Sequence, residues 1–131
     1  MAIVSDINID QGTTFTENFQ VNVLTFPTLP FNASTNPYIP LNLTGASFNM
    51  MVRPTYDSSA VLTASSANGK IVCAAPTTGA FSLVLAPADT TNIRFTGDSA
   101  DYVYDIEITD AGGNVIRPVQ GAFNISREAT R

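Results

Sequence analysis

Two carboxylates near the end of the chain are the side chains whose type and spacing could do chemistry. Asp105 and Glu107 lie two residues apart in the segment YVYDIEIT, where apolar residues occupy the alternating positions. On a β-strand this spacing places both acids on one face. Their separation would then be close to that of the paired acids in glycosidases.

Polar faces of hairpins also carry acids routinely, so a structural interpretation competes with the catalytic one. An ion pair with Arg53, Arg117 or Arg127 would account for both carboxylates and would help to fix the strand register. The structural interpretation is favoured, and the sequence predicts no catalytic, metal-binding or cofactor-binding residues.

The rest of the chain offers little catalytic chemistry. It contains no histidine, which excludes nucleophile arrangements of the Ser-His-Asp or Cys-His type. The single cysteine, Cys73, cannot supply a zinc site alone and is predicted to pack as a small apolar residue. The segment FTGDSADY could offer Asp98 and Asp101 to a calcium ion, although the same residues describe an ordinary turn.

Charge and hydropathy exclude further classes. The 131 residues carry a formal charge of −5, and only 13% are charged. The basic residues are scattered singly, whereas nucleic-acid binding needs a dense basic stripe. No apolar run approaches the roughly 18 residues of a membrane span, and no secretory signal is visible. We therefore expect a protein made in the cytoplasm that binds neither nucleic acid nor membrane.

Most of the chain alternates between apolar and polar residues, which is the pattern of half-buried strands. The sequence predicts one domain, residues 1–131, with an all-β fold: an antiparallel β-sandwich, immunoglobulin-like or jelly-roll-like, of about seven to nine strands. One helical turn at most is expected, at Pro87–Ile93. The predicted strands are Ile3–Ile9, Phe15–Leu24, Ala46–Arg53, Ala60–Thr63, Lys70–Ala75, Phe81–Leu85, Tyr102–Thr109 and Val115–Ile125.

Two segments depart from the simple alternation. Glu17 stands on the apolar side of its strand, which predicts a bulge or a strand end. The Phe26–Pro40 segment contains four prolines and several large apolar residues, which indicates a long loop. That loop either docks against another protein or folds back over an open end of the core.

A set of short signals, spread over nearly the whole chain, resembles a family of virion proteins. The signals are DINIDQGTTF, LTGASFNMMVR, GAFSLVLAPADTTNI and YDIEITDAGGNVIRPVQGAFNISREATR. In this order they resemble baseplate or tail-fibre-adaptor domains of tailed bacteriophages, including amino-terminal domains of upper-baseplate proteins. The matching residues are Gln11, Gly12, Thr44, Gly45, Arg53, Thr90, Tyr104, Asp105, Glu107, Gly113, Arg117, Gly121, Glu128, Thr130 and Arg131. The chain departs from the family pattern at Pro118 and in the longer Phe26–Pro40 segment.

The resemblance implies a non-enzymatic structural subunit, located in the virion and packed among other virion proteins. It would form a homo-oligomer in a symmetric assembly at the baseplate or tail tip. Capsid decoration or head–tail joining is the alternative within the same class. In a different class, a small β-sandwich could be a carbohydrate-binding module that stacks sugars on an aromatic ring, and its candidate rings are Tyr38, Tyr56, Tyr102 and Tyr104.

Overall fold

The computed structural model describes residues 3–24 and 38–129, and the alternating segments within them form strands. Within these two ranges there is one short helix, α1 (Pro87–Thr91), and one 3-10 turn at Pro76–Thr78. The strands of the described residues are β1 (Ile3–Val4), β2 (Ile7–Asp10), β3 (Phe15–Gln20), β4 (Asn22–Leu24), β5 (Tyr38–Pro40), β6 (Ser47–Arg53), β7 (Leu62–Ser65), β8 (Ile71–Val72), β9 (Ala80–Leu85), β10 (Ser99–Thr109) and β11 (Val115–Ser126).

These strands form two main sheets. The large sheet has the order β1-β11-β10-β6-β7, and β2 continues its edge by pairing with β11. Its pairs are antiparallel except those of β1 and β2, which run parallel to β11. The small sheet has the order β3-β9-β8, and β4 and β5 pair separately.

The two main sheets enclose one apolar core. Phe81 of the small sheet meets Phe48 of the large sheet with ring centroids 5.0 Å apart, and it stacks on Phe19 at 5.2 Å. Fully burying a side chain of this kind contributes about 1.5–3 kcal/mol. The buried apolar residues are Ile7, Ile9, Leu43, Phe48, Met50, Val52, Leu62, Ala64, Ile71, Phe81, Leu83, Leu85, Ile93, Tyr102, Tyr104, Ile106, Ile108, Val119, Phe123 and Ile125.

The predicted all-β sandwich is therefore confirmed, with more strands than expected. Two predicted strands are each divided in two: Ile3–Ile9 at Ser5 and Asp6, and Phe15–Leu24 at Val21. A further strand, β5, lies within the predicted Phe26–Pro40 loop and pairs with β4. Residues 26–37 of that loop lie outside the described residues. The expected helical turn is present as α1.

The expected irregularity at Glu17 is wrong. Strand β3 pairs with β9 in unbroken register through Glu17 and Leu83. Because β3 is an edge strand of its sheet, Glu17 can keep its half-exposed charge at the rim of the core. An inward-pointing charge on an edge strand is a known protection against edge-to-edge pairing. The side chain is thus accommodated by strand position and not by a bulge.

The register shift occurs instead in the terminal hairpin. Ile106 pairs with Val119 and Ile108 with Ile116, so β11 carries one extra residue beside Glu107. Pro118 lies within this bulge. A proline lacks the N–H that a regular ladder would need, and bulges are among the few sheet positions that accept it. This accounts for the proline at the point where the chain departs from the family pattern.

Helix α1 is joined to the rest of the fold by polar contacts. Its Asp89 carboxylate accepts a hydrogen bond of 2.7 Å from the Ala86 N–H and forms an ion pair of 2.6 Å with Lys70. Pro87 begins the helix, where a missing N–H has no cost. Among residues 3–24 and 38–129, no helix has the length and apolar character needed to span a membrane.

Candidate functional site

The outer face of the large sheet carries a shallow cleft between β6 and β10, which we call the Tyr56 cleft. It has a volume of about 220 Å³. Tyr56 lies in the turn that follows β6, and the other lining residues belong to the two strands. The cleft is lined by Met51, Arg53, Tyr56, Val103, Tyr104, Asp105 and Glu107.

Strand alternation determines which side chains reach this face. Arg53 is paired with Val103, and Met51 is paired with Asp105. Residues with the opposite parity, such as Val52, point into the core and are fully buried. The pattern that builds the core therefore also gathers the polar side chains of two neighbouring strands on the outer surface.

Arg53 holds the turn that carries Tyr56. Its Nη1 donates to the Ser58 carbonyl at 2.6 Å, and its Nη2 lies 3.0 Å from the Met51 sulfur. The hydroxyls of Thr55 and Ser58 are 2.7 Å apart and close the same turn. Tyr56 remains 66% exposed, so the turn presents an aromatic ring to solvent from a fixed base.

The predicted ion pairs are present only in part. Arg117 Nη1 lies 3.5 Å from Asp105 Oδ2, and both side chains are partly exposed. Arg53 was expected to pair with an acid, and it binds Ser58 and Met51 instead. Arg127 donates to the Gly97 carbonyl. Within the described part of the chain, Glu107 forms no ion pair, and it is one of the residues that line the cleft.

The two carboxylates do share one face, as their spacing predicts. Asp105 is partly neutralised by Arg117, and Glu107 lies beside the extra residue of the β11 bulge. Together with the Arg53 guanidinium they provide hydrogen-bond acceptors and donors within one cleft. Such a mixture suits recognition of a hydroxyl-rich ligand.

Two of the four tyrosines considered as sugar platforms are unsuitable. Tyr102 and Tyr104 are only 6% and 1% exposed, because they lie on the core parity of β10. Burial raises the pKa of Tyr104 to about 12, and its hydroxyl donates to the Ser5 carbonyl. The side chain of Tyr38 lies outside the described residues. Tyr56 is the exposed tyrosine of the part of the chain that is described.

Several residues that carry the family resemblance meet at a second place, which we call the Gln11 junction. Gln11 is 2% exposed. Its Nε2 donates to the carbonyls of Thr90 at 3.1 Å and Ile93 at 2.9 Å, and its Oε1 accepts from the Glu128 N–H at 3.2 Å. The Gly12 N–H donates to Thr90 Oγ1 at 2.8 Å. One buried amide thus connects β2, α1 and the chain that follows β11.

Glycine suits position 12 of this junction mainly because of its backbone. Its φ of +77° is a left-handed conformation that favours glycine and strains other residues. A Cβ at this position would also lie 2.0 Å from Glu128 Oε2, so the Glu128 carboxylate would have to move. The sequence supplied Gln11, Gly12, Thr90 and Glu128 as family signals, but it gave no indication that they contact one another.

A third group of matching residues fixes the corner between β1 and β2. Tyr104 binds the Ser5 carbonyl, and a Cβ on Gly121 would lie 2.4 Å from the same oxygen. Asp6 accepts a hydrogen bond from the Ala122 N–H at 3.1 Å. The corner therefore crosses β11 at Gly121, the one residue of that strand that has no side chain. Hydrogen bonds from the Tyr104 hydroxyl and the Ala122 N–H hold it there.

The matching residues in turns also have structural roles. Thr44 donates to Asn42 Oδ1 through both its N–H and its hydroxyl. In the β10–β11 turn, the N–H of the matching Gly113 donates to the Asp110 carbonyl at 3.0 Å. Asp110 Oδ1 also accepts from the N–H groups of Gly112 and Asn114, each at 2.9 Å. These bonds, above all the one from the Asn114 N–H, lower the pKa of Asp110. Thr130 and Arg131 lie outside the described residues.

Cys73 and the aspartates considered for calcium show no arrangement of a reactive or metal site. Cys73 is half-buried against the core, its Sγ lies 3.4 Å from the Ala80 carbonyl oxygen, and burial raises its thiol pKa. A raised pKa disfavours the reactive thiolate. Across the described ranges, no three side chains of the metal-binding types, including Asp98 and Asp101, are grouped to hold an ion.

Comparison with known proteins provides little beyond this geometry. No model of a protein family matches the sequence, and no curated protein matches it. Among solved structures, a murine CRIg chain matches with a TM-score of 0.36 and 12% identity, over 94% of this chain and 92% of that one. With similarity this low, the fold is established by the strand pairing of the chain itself.

Proposed function

We propose that this chain is a non-enzymatic structural subunit of a tailed-bacteriophage virion. It would belong to the baseplate or tail tip and connect the tail to fibres or receptor-binding proteins. The proposal is supported by the ordered set of residues that resembles baseplate and tail-fibre-adaptor domains. Its partners would be neighbouring virion proteins and further copies of the same chain.

The observation that carries the proposal is where those residues lie. Gln11, Gly12, Thr90 and Glu128 form one junction. A similar role falls to Tyr104 and Gly121 at the corner between β1 and β2. Residues with such positions hold distant segments together, which is what a rigid connecting subunit needs. Their resemblance to the family pattern would then reflect a structural framework common to this chain and those domains, and it would not require a common catalytic reaction.

The docking surfaces would be the apolar side chains that the fold leaves exposed. Ile3 and Val4 of the edge strand β1 are 67% and 69% exposed, and Val115 and Ile116 are exposed at the beginning of β11. Burying one such side chain against a neighbour contributes up to about 1.5–3 kcal/mol. In a closed ring, each copy of the chain would make the same contacts with its neighbours, and together these modest contacts would stabilise the assembly.

The Phe26–Pro40 segment is the other proposed contact, and the fold indicates how to remove it cleanly. Leu24 and Tyr38 are paired across β4 and β5. Replacing residues 25–37 by Asn-Gly would therefore close the same two strands with a short hairpin turn. We expect the shortened chain to fold as a monomer and to be lost from assembled particles.

Two further variants make this test specific. Substituting Phe26, Leu29 and Phe31 by serine keeps the length of the segment and removes its apolar groups, and it should also reduce incorporation. Val61→Ser changes an exposed apolar residue of the described surface outside the proposed contacts and should be incorporated normally. Full incorporation of the shortened chain, measured by quantitative mass spectrometry of purified particles, would contradict the docking role.

A head position remains the alternative within this proposal. A capsid decoration or head–tail joining subunit would use the same framework and the same kind of apolar contacts. The two positions differ in where the protein lies on the particle, which labelling in the electron microscope distinguishes directly.

A further inference from the structure

We propose that the Tyr56 cleft binds a saccharide unit, with the ring of Tyr56 stacked on the sugar and with Arg53 and Glu107 bound to its hydroxyls. This inference does not depend on the virion proposal. It rests on the coincidence of an exposed aromatic ring, neighbouring hydrogen-bond donors and acceptors, and a concave surface on two neighbouring strands.

The aromatic surface is provided by Tyr56. Its ring is 66% exposed and lies at a cleft whose base is formed by backbone-paired strands. The apolar C–H face of a sugar ring packs well on such a surface, since an aromatic ring offers a large contact area at low conformational cost. The turn is already held by Arg53 and by the Thr55–Ser58 contact, so little ordering is needed on binding.

The polar lining matches hydroxyl groups better than it matches an ion. This face carries two cations, Arg53 and Arg117, and two carboxylates, Asp105 and Glu107, so their charges balance. A sugar hydroxyl donates one hydrogen bond and accepts others. Adjacent hydroxyls can therefore donate to a carboxylate and accept from a guanidinium in the same cleft.

The three polar groups differ in how available they are. Asp105 is engaged with Arg117 at 3.5 Å, whereas Glu107 forms no ion pair with any described residue. Arg53 uses one donor on Ser58 and places another near the Met51 sulfur, and a guanidinium has five N–H donors in all. Glu107 and Arg53 are therefore the expected contacts, with Asp105 in support.

The shape of the cleft sets the expected affinity. A volume of about 220 Å³ accommodates a single sugar ring, and its open form leaves one side of that ring in solvent. We expect dissociation constants in the range of about 0.1–10 mM for a single unit. Repeated copies in an oligomer would raise the apparent affinity for a glycan surface.

The test is a titration of the isotope-labelled chain with methyl glycosides of glucose, galactose, mannose, N-acetylglucosamine and rhamnose, followed by amide chemical shifts. At least one glycoside should shift the amides of the cleft residues in a saturable way. Tyr56→Ala should weaken that binding by about tenfold or more, Glu107→Gln should weaken it less, and Tyr56→Phe should retain most of it because the ring remains.

Asp57→Asn is the matched control, because it changes the neighbour of Tyr56 without altering a residue that lines the cleft. It should bind as the unmodified chain does. If none of the five glycosides shifts the cleft amides, or if the shifts map to another surface, the inference is wrong. It is also wrong if Tyr56→Ala, shown to be folded by its spectrum, binds with unchanged affinity.

Discussion

Replacing Gln11 by alanine tests whether the Gln11 junction holds the fold together. The substitution removes a side chain that is 2% exposed and that binds two buried carbonyls, those of Thr90 and Ile93. It also leaves the Glu128 N–H without the Gln11 Oε1 acceptor. Each buried group that loses its partner costs about 1–3 kcal/mol.

The expected loss follows from these contacts. The Thr90 carbonyl still accepts from the Ile93 N–H at 3.0 Å, so the groups that lose this partner are the buried Ile93 carbonyl and the half-buried Glu128 N–H. At about 1–3 kcal/mol each, they give a loss of about 2–6 kcal/mol, which is a large fraction of the roughly 5–15 kcal/mol of an ordinary domain. With an m value of about 2 kcal/mol/M in urea, the unfolding midpoint should fall by about 1–3 M.

The assay is urea unfolding followed by far-ultraviolet circular dichroism, with Gln20→Ala as the matched control. Gln20 is an exposed glutamine whose Nε2 makes longer contacts of 3.3 and 3.4 Å, so its loss should change the free energy of unfolding by less than about 0.5 kcal/mol. A loss below about 1 kcal/mol for Gln11→Ala would refute the structural role assigned to the junction.

Three other predictions concern the corner and the hairpin. Gly121→Ala should lower the free energy of unfolding by about 2 kcal/mol or more, because its Cβ would lie 2.4 Å from the Ser5 carbonyl oxygen. The control Gly112→Ala, whose Cβ would have its nearest contact at 3.4 Å, should be nearly neutral in the same urea assay. Burial raises the folded-state pKa of Tyr104 to about 12, so the stability that its neutral hydroxyl contributes is complete below the unfolded-state pKa of about 10 and is lost as the pH rises through about 12. Urea midpoints should fall between these two pH values, and Tyr104→Phe should remove this part of the decline. Removing Arg117 and Asp105 singly and together should give a coupling energy below about 1 kcal/mol, since the pair is partly exposed and 3.5 Å apart; a larger value in the double-mutant cycle would contradict the view that this pair is a surface contact.

Much of the fold could be predicted because strand alternation is a local signal. Phe48, Met50 and Val52 share one parity and are all buried, as are Ile106 and Ile108. The turn at Asp110 was also predictable from its glycines. These features depend only on neighbours in the sequence, and the sequence displays them directly.

The features that were missed depend on contacts between distant segments. The parallel pairing of β1 and β2 with β11 joins residues more than one hundred positions apart, and no local pattern encodes it. The division of the first strand at Ser5 follows from the crossing at Gly121, and Glu17 is tolerated because β3 lies at an edge. Neither fact is visible before the strand order is known.

The candidate site could be predicted only in outline. The shared face of Asp105 and Glu107 followed from their spacing, whereas the ion pair with Arg117 depends on the bulge in β11. Tyr56 was one of four possible sugar platforms, and only burial distinguishes it from Tyr102 and Tyr104. Its position near Asp105 and Glu107 required the β6–β10 register.

The central claim, a structural subunit at the distal end of a phage tail, is tested most directly by locating the protein on particles. An epitope inserted in the exposed turn at Gly69, where a side chain would meet nothing within 4 Å, can be labelled with gold-conjugated antibody on purified virions. The account predicts label at the baseplate or tail tip, repeated around the tail axis. Label confined to the head, or particles that lack the protein altogether, would contradict it.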